Sequence, residues 1–413
     1  MTADPYLLRT LDTVDDFALV SDVLGAGFGE DMGDDSDGER LTFEPARDHV
    51  IEHAADGVVA NAGAYTRELS VPGAVLPSAA HVTLVSVRPT HRRRGLLTRL
   101  MLHQLKDIRE VQREPVALLW ASEGRIYQRF GYGQAAGRLW IEADNRNVRL
   151  TRSVPPEVGR LRDAAPGDVH KELREVFERI RPDRPGWSGR TDDWWQRRLV
   201  DPESGRHGYT ARRALLFEGP GGVDGYALWR RKGAWEAVGP KGEVDVVELV
   251  AATPEAYAAM WRLLFSIDLT RTVGYGFASV DEPLRHLVDE PRALNARALD
   301  SLWLRIVDLP AALAARRYAA PVDVVIEVTD GLLPDNAGRW RLSGDASGAT
   351  CDRTTDAPDL TCDVTDLGAV YLGGTPLAAL AAAGRVRETR PGALPVAATA
   401  FSWPRSPSAL EIF

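Results

Sequence analysis

The stretch VTLVSVRPTHRRRGLLT, residues 82–98, constrains this chain more than any other. A β-branched run of strand character enters a tight loop that ends in the three consecutive arginines 92–94 followed by Gly95, and it opens there directly into a helical pattern. Unpaired backbone N–H groups at a helix start and cationic side chains are thereby gathered around one point. Positive charge there opposes the helix dipole, so it calls for an anion. Arginine supplies planar, permanently charged donors matched to phosphate oxygens, and Gly95 permits close backbone approach and whatever backbone angle the turn requires. The reading is a strand–loop–helix site for a pyrophosphate-bearing ligand.

The surrounding pattern is that of an α/β unit. A helix is expected over 14–28, strands over 57–69 and 81–87, the loop over 88–94, a helix over 95–111, a buried strand over 116–121 and a short helix around Tyr127. Consecutive prolines at Pro155 and Pro156 interrupt it, which places a boundary near 150. A second α/β pattern follows, with strands expected over 213–218, 225–230 and 244–250, and a helix capped by Thr253 with Pro254 at its first position. The corresponding junction there has no arginines and offers a phosphate no cradle. From about 296 short strands (301–307, 322–328, 338–343, 359–364) and alanine-rich helical segments suggest an α+β domain. The expected division is therefore 1–150, 151–295 and 296–413.

With 413 residues the chain is long enough for two or three domains. A net charge of −9 argues against a protein that coats nucleic acid and favours a cationic partner. Cys351 and Cys362 form neither a disulfide framework nor, without nearby histidines, a zinc site, and no metal is expected. His81, His91 and His103 show no metal-ligand spacing and read as structural or surface groups. There is no basic leader followed by an apolar run and no long apolar span, so a cytoplasmic protein without a membrane segment is expected. Gly25, Gly27 and Gly29 imitate a dinucleotide loop, but they run into Glu30, Asp31, Asp34, Asp35, Asp37 and Glu39, which would repel phosphate. That acidic segment, with Glu411 adding to its potential, is a candidate border for a site that attracts polyamines.

The loop resembles the acyl-CoA loop of the GNAT superfamily of N-acetyltransferases, whose pattern Arg/Gln-x-x-Gly-x-Gly/Ala is met by Arg92 and Gly95. Leu97 departs from it at the last small position. The run from His91 through Leu97 is similar to the enhanced intracellular survival (Eis) family of bacterial acetyltransferases. Two further stretches agree: ASEGRIYQRFGYG at 121–133 and the apolar, proline-interrupted end FSWPRSPSALEIF at 401–413. Spacing alone leaves Tyr127 as either a packing residue or a proton donor, and Phe413 as either a packed ring or a functional terminus.

The resemblance implies two GNAT-like α/β domains, only the first with a cofactor site, and a C-terminal α+β domain like sterol carrier proteins. It implies acetyl-CoA as co-substrate, held by Val85, Ser86, Val87, Arg93, Arg94, Gly95, Leu96, Leu97, Thr98, Ser122 and Glu123. Tyr127 would protonate the departing coenzyme A, and the carboxylate of Phe413 would take the proton of the acceptor amine. Aminoglycoside-like amines and a homo-oligomer, a hexamer, are implied with it. Protein lysine or a small metabolic amine would suit the same machinery, and an inert, lipid-binding carrier is the alternative outside enzymes.

Overall fold

The computed structural model describes residues 4–29, 37–151 and 158–413. The first unit is a seven-stranded sheet. Its order is β1 (Tyr6–Thr10), β2 (His49–His53), β3 (Gly57–Glu68), β4 (Ser78–Val87), β5 (Val116–Trp120), then Leu302–Ile306 and Gly133–Gln134. Every pairing in it is antiparallel except that of β4 with β5. Alternation along β2 sends Val50 to one face and Ile51 to the other, as a two-residue period requires. Val50 joins the apolar cluster of helix α1 (Phe17–Phe28), and Ile51 joins that of Leu96 and Leu100. After a short helix α2 (Asp37–Thr42), those leucines begin α3 (Leu96–Glu110), which buries Leu96, Leu100, Met101, Leu105 and Ile108 along one stripe. Helix α4 (Gly124–Gln128) follows β5.

A second seven-stranded sheet runs Arg297–Asp300, Gly137–Asp144, Thr270–Ala278, Gly242–Ala251, Gly222–Lys232, Arg213–Gly219, Arg160–Ala164. Its helix Pro254–Phe265 starts where expected, with the Thr253 hydroxyl accepting from the Ala256 N–H at 3.2 Å. A five-stranded sheet built on Val322–Thr329 and covered by Leu309–Ala315, Val364–Val370 and Ala393–Phe401 forms the third unit.

Sheet membership crosses both expected boundaries. Strand Gly137–Asp144 already pairs with Thr270–Ala278 of the second sheet, and Leu302–Ile306, expected in the third domain, is inserted beside β5 in the first. A strand's own residues record burial, not which sheet it joins, and the change of sheet falls before Gly137, away from the pair Pro155 and Pro156, which lies outside the described residues. One continuous apolar core joins Tyr65, Ala79 and Leu118 of the first sheet to Val324 and Ile326 of the third, with Phe413 among them.

Candidate active site

The site begins where β4 and β5 part. Their parallel pairing consists of Ala80 with Ala117 and His81 with Leu118, and it goes no further. On the other edge of β4 the register with β3 slips between Asn61 and Gly63, and Leu84 takes a left-handed φ of 52°. A leucine in that region is strained, and the Asn61 side chain donates to the Leu84 carbonyl to hold it. Beyond the bulge, Val85 and Val87 are half-buried, and the Ser86 hydroxyl donates to the Val23 carbonyl of α1 at 3.2 Å. The result is a wedge between two strands, open at their C-terminal ends.

The arginine loop sits at its mouth. Arg93 (φ 64°) and Gly95 (φ 80°) both adopt left-handed backbone, and Gly95 is the N-cap of the fifteen-residue α3. No side chain caps this helix, and a Cβ on Gly95 would meet nothing within 4 Å. The first-turn N–H groups of Leu96, Leu97 and Thr98 are thus without a side-chain cap, which leaves backbone donors that an anion could use. Arg92 is tied down by the carbonyls of Val87 (3.2 Å) and Gly27 (2.9 Å), and Arg94 by the Tyr6 hydroxyl (2.9 Å) and the Thr90 carbonyl (3.3 Å). Arg93 is exposed and has no ion pair among the described residues, so its charge is available to a ligand. Gly25 and Gly27 lie inside α1, with Gly29 as its left-handed cap, which removes them as a phosphate loop. Of the acidic segment, residues 30–36 lie outside the described residues, and Glu39 is paired with Arg197 at 3.3 Å.

Across the wedge, Ser122 and Glu123 are exposed at the end of β5, with Glu123 as the N-cap of α4. Tyr127, one turn later, is 7% exposed and shares an apolar cluster with Val82 of β4, Leu119 of β5 and Trp303. Its hydroxyl has no hydrogen-bond partner among the described residues, and burial pushes its pKa up to about 12. A phenol so placed remains protonated throughout the neutral range, as a proton donor must.

The last residues enter from the opposite side. The Ser408 N–H donates to Pro185 at 3.0 Å and its hydroxyl accepts from the Trp187 indole at 3.1 Å. The Phe413 ring then packs on His81, centroids 4.7 Å apart, at the last residue pair before β4 and β5 separate. His81 is fully buried between the Ala79 carbonyl (3.1 Å) and the Ser188 hydroxyl (2.7 Å), and burial holds its pKa well below the usual imidazole value, so it is neutral. Glu411 does not add to an acidic border as its sequence position suggested. It is largely withdrawn from solvent, 12% exposed, between Arg67 (2.6 Å) and Arg190 (2.9 Å), whose charges outweigh the cost of desolvation and hold its carboxyl far below the usual range.

Arg67, Arg190 and the partner carboxylate Glu248 were not singled out from sequence. A signal for Arg67 existed: it shares a strand face with Tyr65, two residues earlier, which points into the core. The fold also gathers His53, Asp56 and His91, with ligand atoms within 4.8 Å of one another, from segments too far apart for a spacing rule to find. Within that group the Asp56 carboxylate lies 2.6 Å from His53 Nδ1 and 3.4 Å from His91 Nε2, and His91 Nδ1 is hydrogen-bonded with the Tyr6 hydroxyl at 3.1 Å.

A sheet wedged open between its parallel strands, with a basic loop and an uncapped helix start at the mouth, defines the GNAT class of acetyltransferases. Residues 9–135 and 186–306 each match a family model described as an acetyltransferase (GNAT) domain, and residues 309–409 match one described as a sterol carrier protein domain. An uncharacterized N-acetyltransferase of Streptomyces avermitilis is 46% identical over 97% of both chains. The N-acetyltransferase Eis of Mycobacterium tuberculosis is 34% identical over 91% of this chain and 92% of its own. The crystal structure of Eis1 from Mycobacterium abscessus superposes with a TM-score of 0.83 at 32% identity, covering 99% of this chain and 100% of that one. The chain belongs to the Eis family of GNAT N-acetyltransferases, with two GNAT domains followed by a sterol-carrier-like domain.

Proposed function

We propose that this acetyltransferase moves an acetyl group from acetyl-CoA to amines of aminoglycoside-like or other polyamine acceptors by direct attack in the wedge of the first domain. The observation that supports the reading is that Tyr127, buried and protonated, packs against Val82 and Leu119 while the Phe413 ring lies on His81, where the pairing of β4 and β5 ends. The pyrophosphate would lie on the N–H groups of residues 96–98 and on Arg93, with Arg94 and Gly95 shaping the turn. The pantetheine arm would run along Val85, Ser86 and Val87, opposite Ser122 and Glu123. The acceptor ammonium gives a proton to the Phe413 carboxylate. Its nitrogen then bonds to the thioester carbon, the carbon–sulfur bond breaks, the thiolate takes the Tyr127 proton, and the second proton shed by the new amide nitrogen returns to the Tyr127 phenolate through water while Phe413 releases its own to solvent. No covalent enzyme intermediate is needed, and no metal enters the scheme.

A cytoplasmic location and a homo-oligomer, a hexamer, complete the proposal. Two free, buried cysteines suit a reducing compartment, and no helix among the described residues is long and apolar enough to cross a membrane. Trp235 and Val238, 70% and 86% exposed on a hairpin of the second domain, suit an interface between copies.

The test is coenzyme A release from acetyl-CoA with neomycin, spermine and a lysine peptide, comparing the native chain, Tyr127→Phe and a chain ending at Ile412. Turnover of an amine that falls about 100-fold or more in both variants, with acetyl-CoA affinity retained, supports the reading. Undiminished turnover in either variant removes that residue from the mechanism, and transfer to the peptide alone would replace the polyamine by protein lysine.

A further inference from the structure

Around Glu411 lies a buried ion cluster drawn from three parts of the chain. Arg67 comes from β3, and Arg190, Arg198 and Glu248 come from the second domain. Besides its bonds to Arg67 and Arg190, Glu411 is linked through Arg190 to Glu248, which Arg190 grips with two bonds of 3.0 and 2.7 Å. Arg198 approaches the same carboxylate at 2.8 Å and the Tyr226 hydroxyl donates to it. The guanidiniums are also covered by rings, Arg67 over Trp194 at 3.7 Å and Arg190 over Phe177 at 4.3 Å. Three cations face two anions in a site with no access to water at Arg67 and almost none at Arg190.

An ion cluster of this kind is a poor source of net stability, because desolvation offsets most of the attraction. What it does well is specify a single arrangement. Here the arrangement specified is that of the tail. Glu411 stands two residues before Phe413, and at about 3.3 Å per extended residue the terminus is held within roughly 7 Å of the anchor. Loss of the anchor leaves Ile412, which is exposed, and the Phe413 ring on His81 as the remaining restraints on the last residues.

We propose that Arg67, Arg190 and Glu411 are positioning residues for the Phe413 carboxylate, and that the second GNAT domain serves acetyl transfer by supplying Arg190 and Glu248 as the tail's anchor. The inference rests on the reading of Phe413 given above. It gives the domain without a cofactor cradle a part in the chemistry of the other.

The experiment uses the full chain with Glu411→Gln, the milder Glu411→Asp and Arg190→Lys, assayed with the amine turned over fastest among neomycin, spermine and the lysine peptide. A carboxylate base is needed only while the amine is protonated, so a misplaced base depresses the rate at pH 7 and matters less near pH 9.5, close to the amine's own pKa. The charged and titratable groups around the tail are His81 of β4, Arg67 of β3, and Arg190, Arg197, Arg198, Tyr226 and Glu248 of the second domain. Expected for Glu411→Gln is a kcat lower by ten- to a hundredfold at pH 7, recovering to within about threefold of native at pH 9.5, with KM for acetyl-CoA changed less than twofold. Glu411→Asp and Arg190→Lys, which keep the charge, should fall between. Native kcat in all three variants, or an equal loss at both pH values, would overturn the inference. A chain ending at Ile412 separates the two ideas: if it is crippled while the Glu411 and Arg190 variants are not, only the anchor fails, and if it is fully active the reading of Phe413 falls and takes the anchor with it.

Discussion

The two GNAT domains start the same helix in opposite ways. In the first, Gly95 in left-handed backbone leaves the opening turn of α3 uncapped, with Arg93 beside it exposed and without an ion pair among the described residues. In the second, Thr253 caps the helix Pro254–Phe265 with its own hydroxyl, and Pro254 removes an N–H from the first turn. The wedge itself survives in both. Strand Gly242–Ala251 has a register slip opposite Leu228 and Trp229, and its parallel pairing with Thr270–Ala278 ends at Val246 and Tyr275. Past that point lies a cavity of about 490 Å³ whose lining includes Leu249, Tyr257, Phe277 and Glu282, with Ser408 and Leu410 of the tail as part of its wall. A helix start that caps one of its donors and lacks another has fewer left for a phosphate, and Glu255 in its first turn adds a negative charge. On the reading proposed above, the shape of a GNAT domain is separable from its cofactor chemistry by a few residues at one helix end.

The strongest way to break this contrast is to spoil the open end. Arg93→Ala combined with Gly95→Val removes a cation and forces a β-branched side chain into left-handed backbone beside the donors. About 3 kcal/mol of binding, or roughly a hundredfold in acetyl-CoA Kd, should be lost by calorimetry. A change below threefold would place the anion elsewhere.

The chemistry of the second wedge sharpens it next. Glu282 is buried there, accepts from the Tyr257 hydroxyl and from the Ser279 N–H at 3.3 Å, and burial pushes its pKa up to about 7. Because the folded pKa exceeds the unfolded one, the proton stabilises the fold fully below about pH 4.5, and that contribution is lost as pH rises through 7. Glu282→Gln should therefore gain up to about 3 kcal/mol over the native chain at pH 8 and little at pH 4.5, read from denaturant melts at the two pH values. A gain independent of pH would show that Glu282 is not held neutral.

The smallest effect belongs to the closed helix end. Thr253→Ala should cost about 1 kcal/mol of stability, seen in thermal melts, with acetyl-CoA affinity unchanged. Altered affinity would connect that end to the cofactor after all.

Much of the first two domains is legible in sequence, because its signals are local. The periodic burial of α3, the Thr253–Pro254 start and the Arg-rich turn at Gly95 are each decided by residues adjacent in the chain. What sequence does not disclose depends on distant segments meeting. Leu302–Ile306 reads as a strand, yet nothing in its five residues names the first sheet as its partner. Arg67 and Glu411 are separated by 344 positions and become an ion pair only when the tail folds back. The Phe413 ring likewise reaches His81 through the path of the tail past Pro185 and Trp187, which no periodicity encodes.

Equilibrium titration of the native chain and of the Arg93→Ala, Gly95→Val variant with acetyl-CoA tests the central claim most directly, that cofactor chemistry is confined to the open helix end of the first domain. The account predicts one molecule bound per native chain and none at the same concentrations in the variant. Two molecules per native chain, or one that survives in the variant, would contradict it.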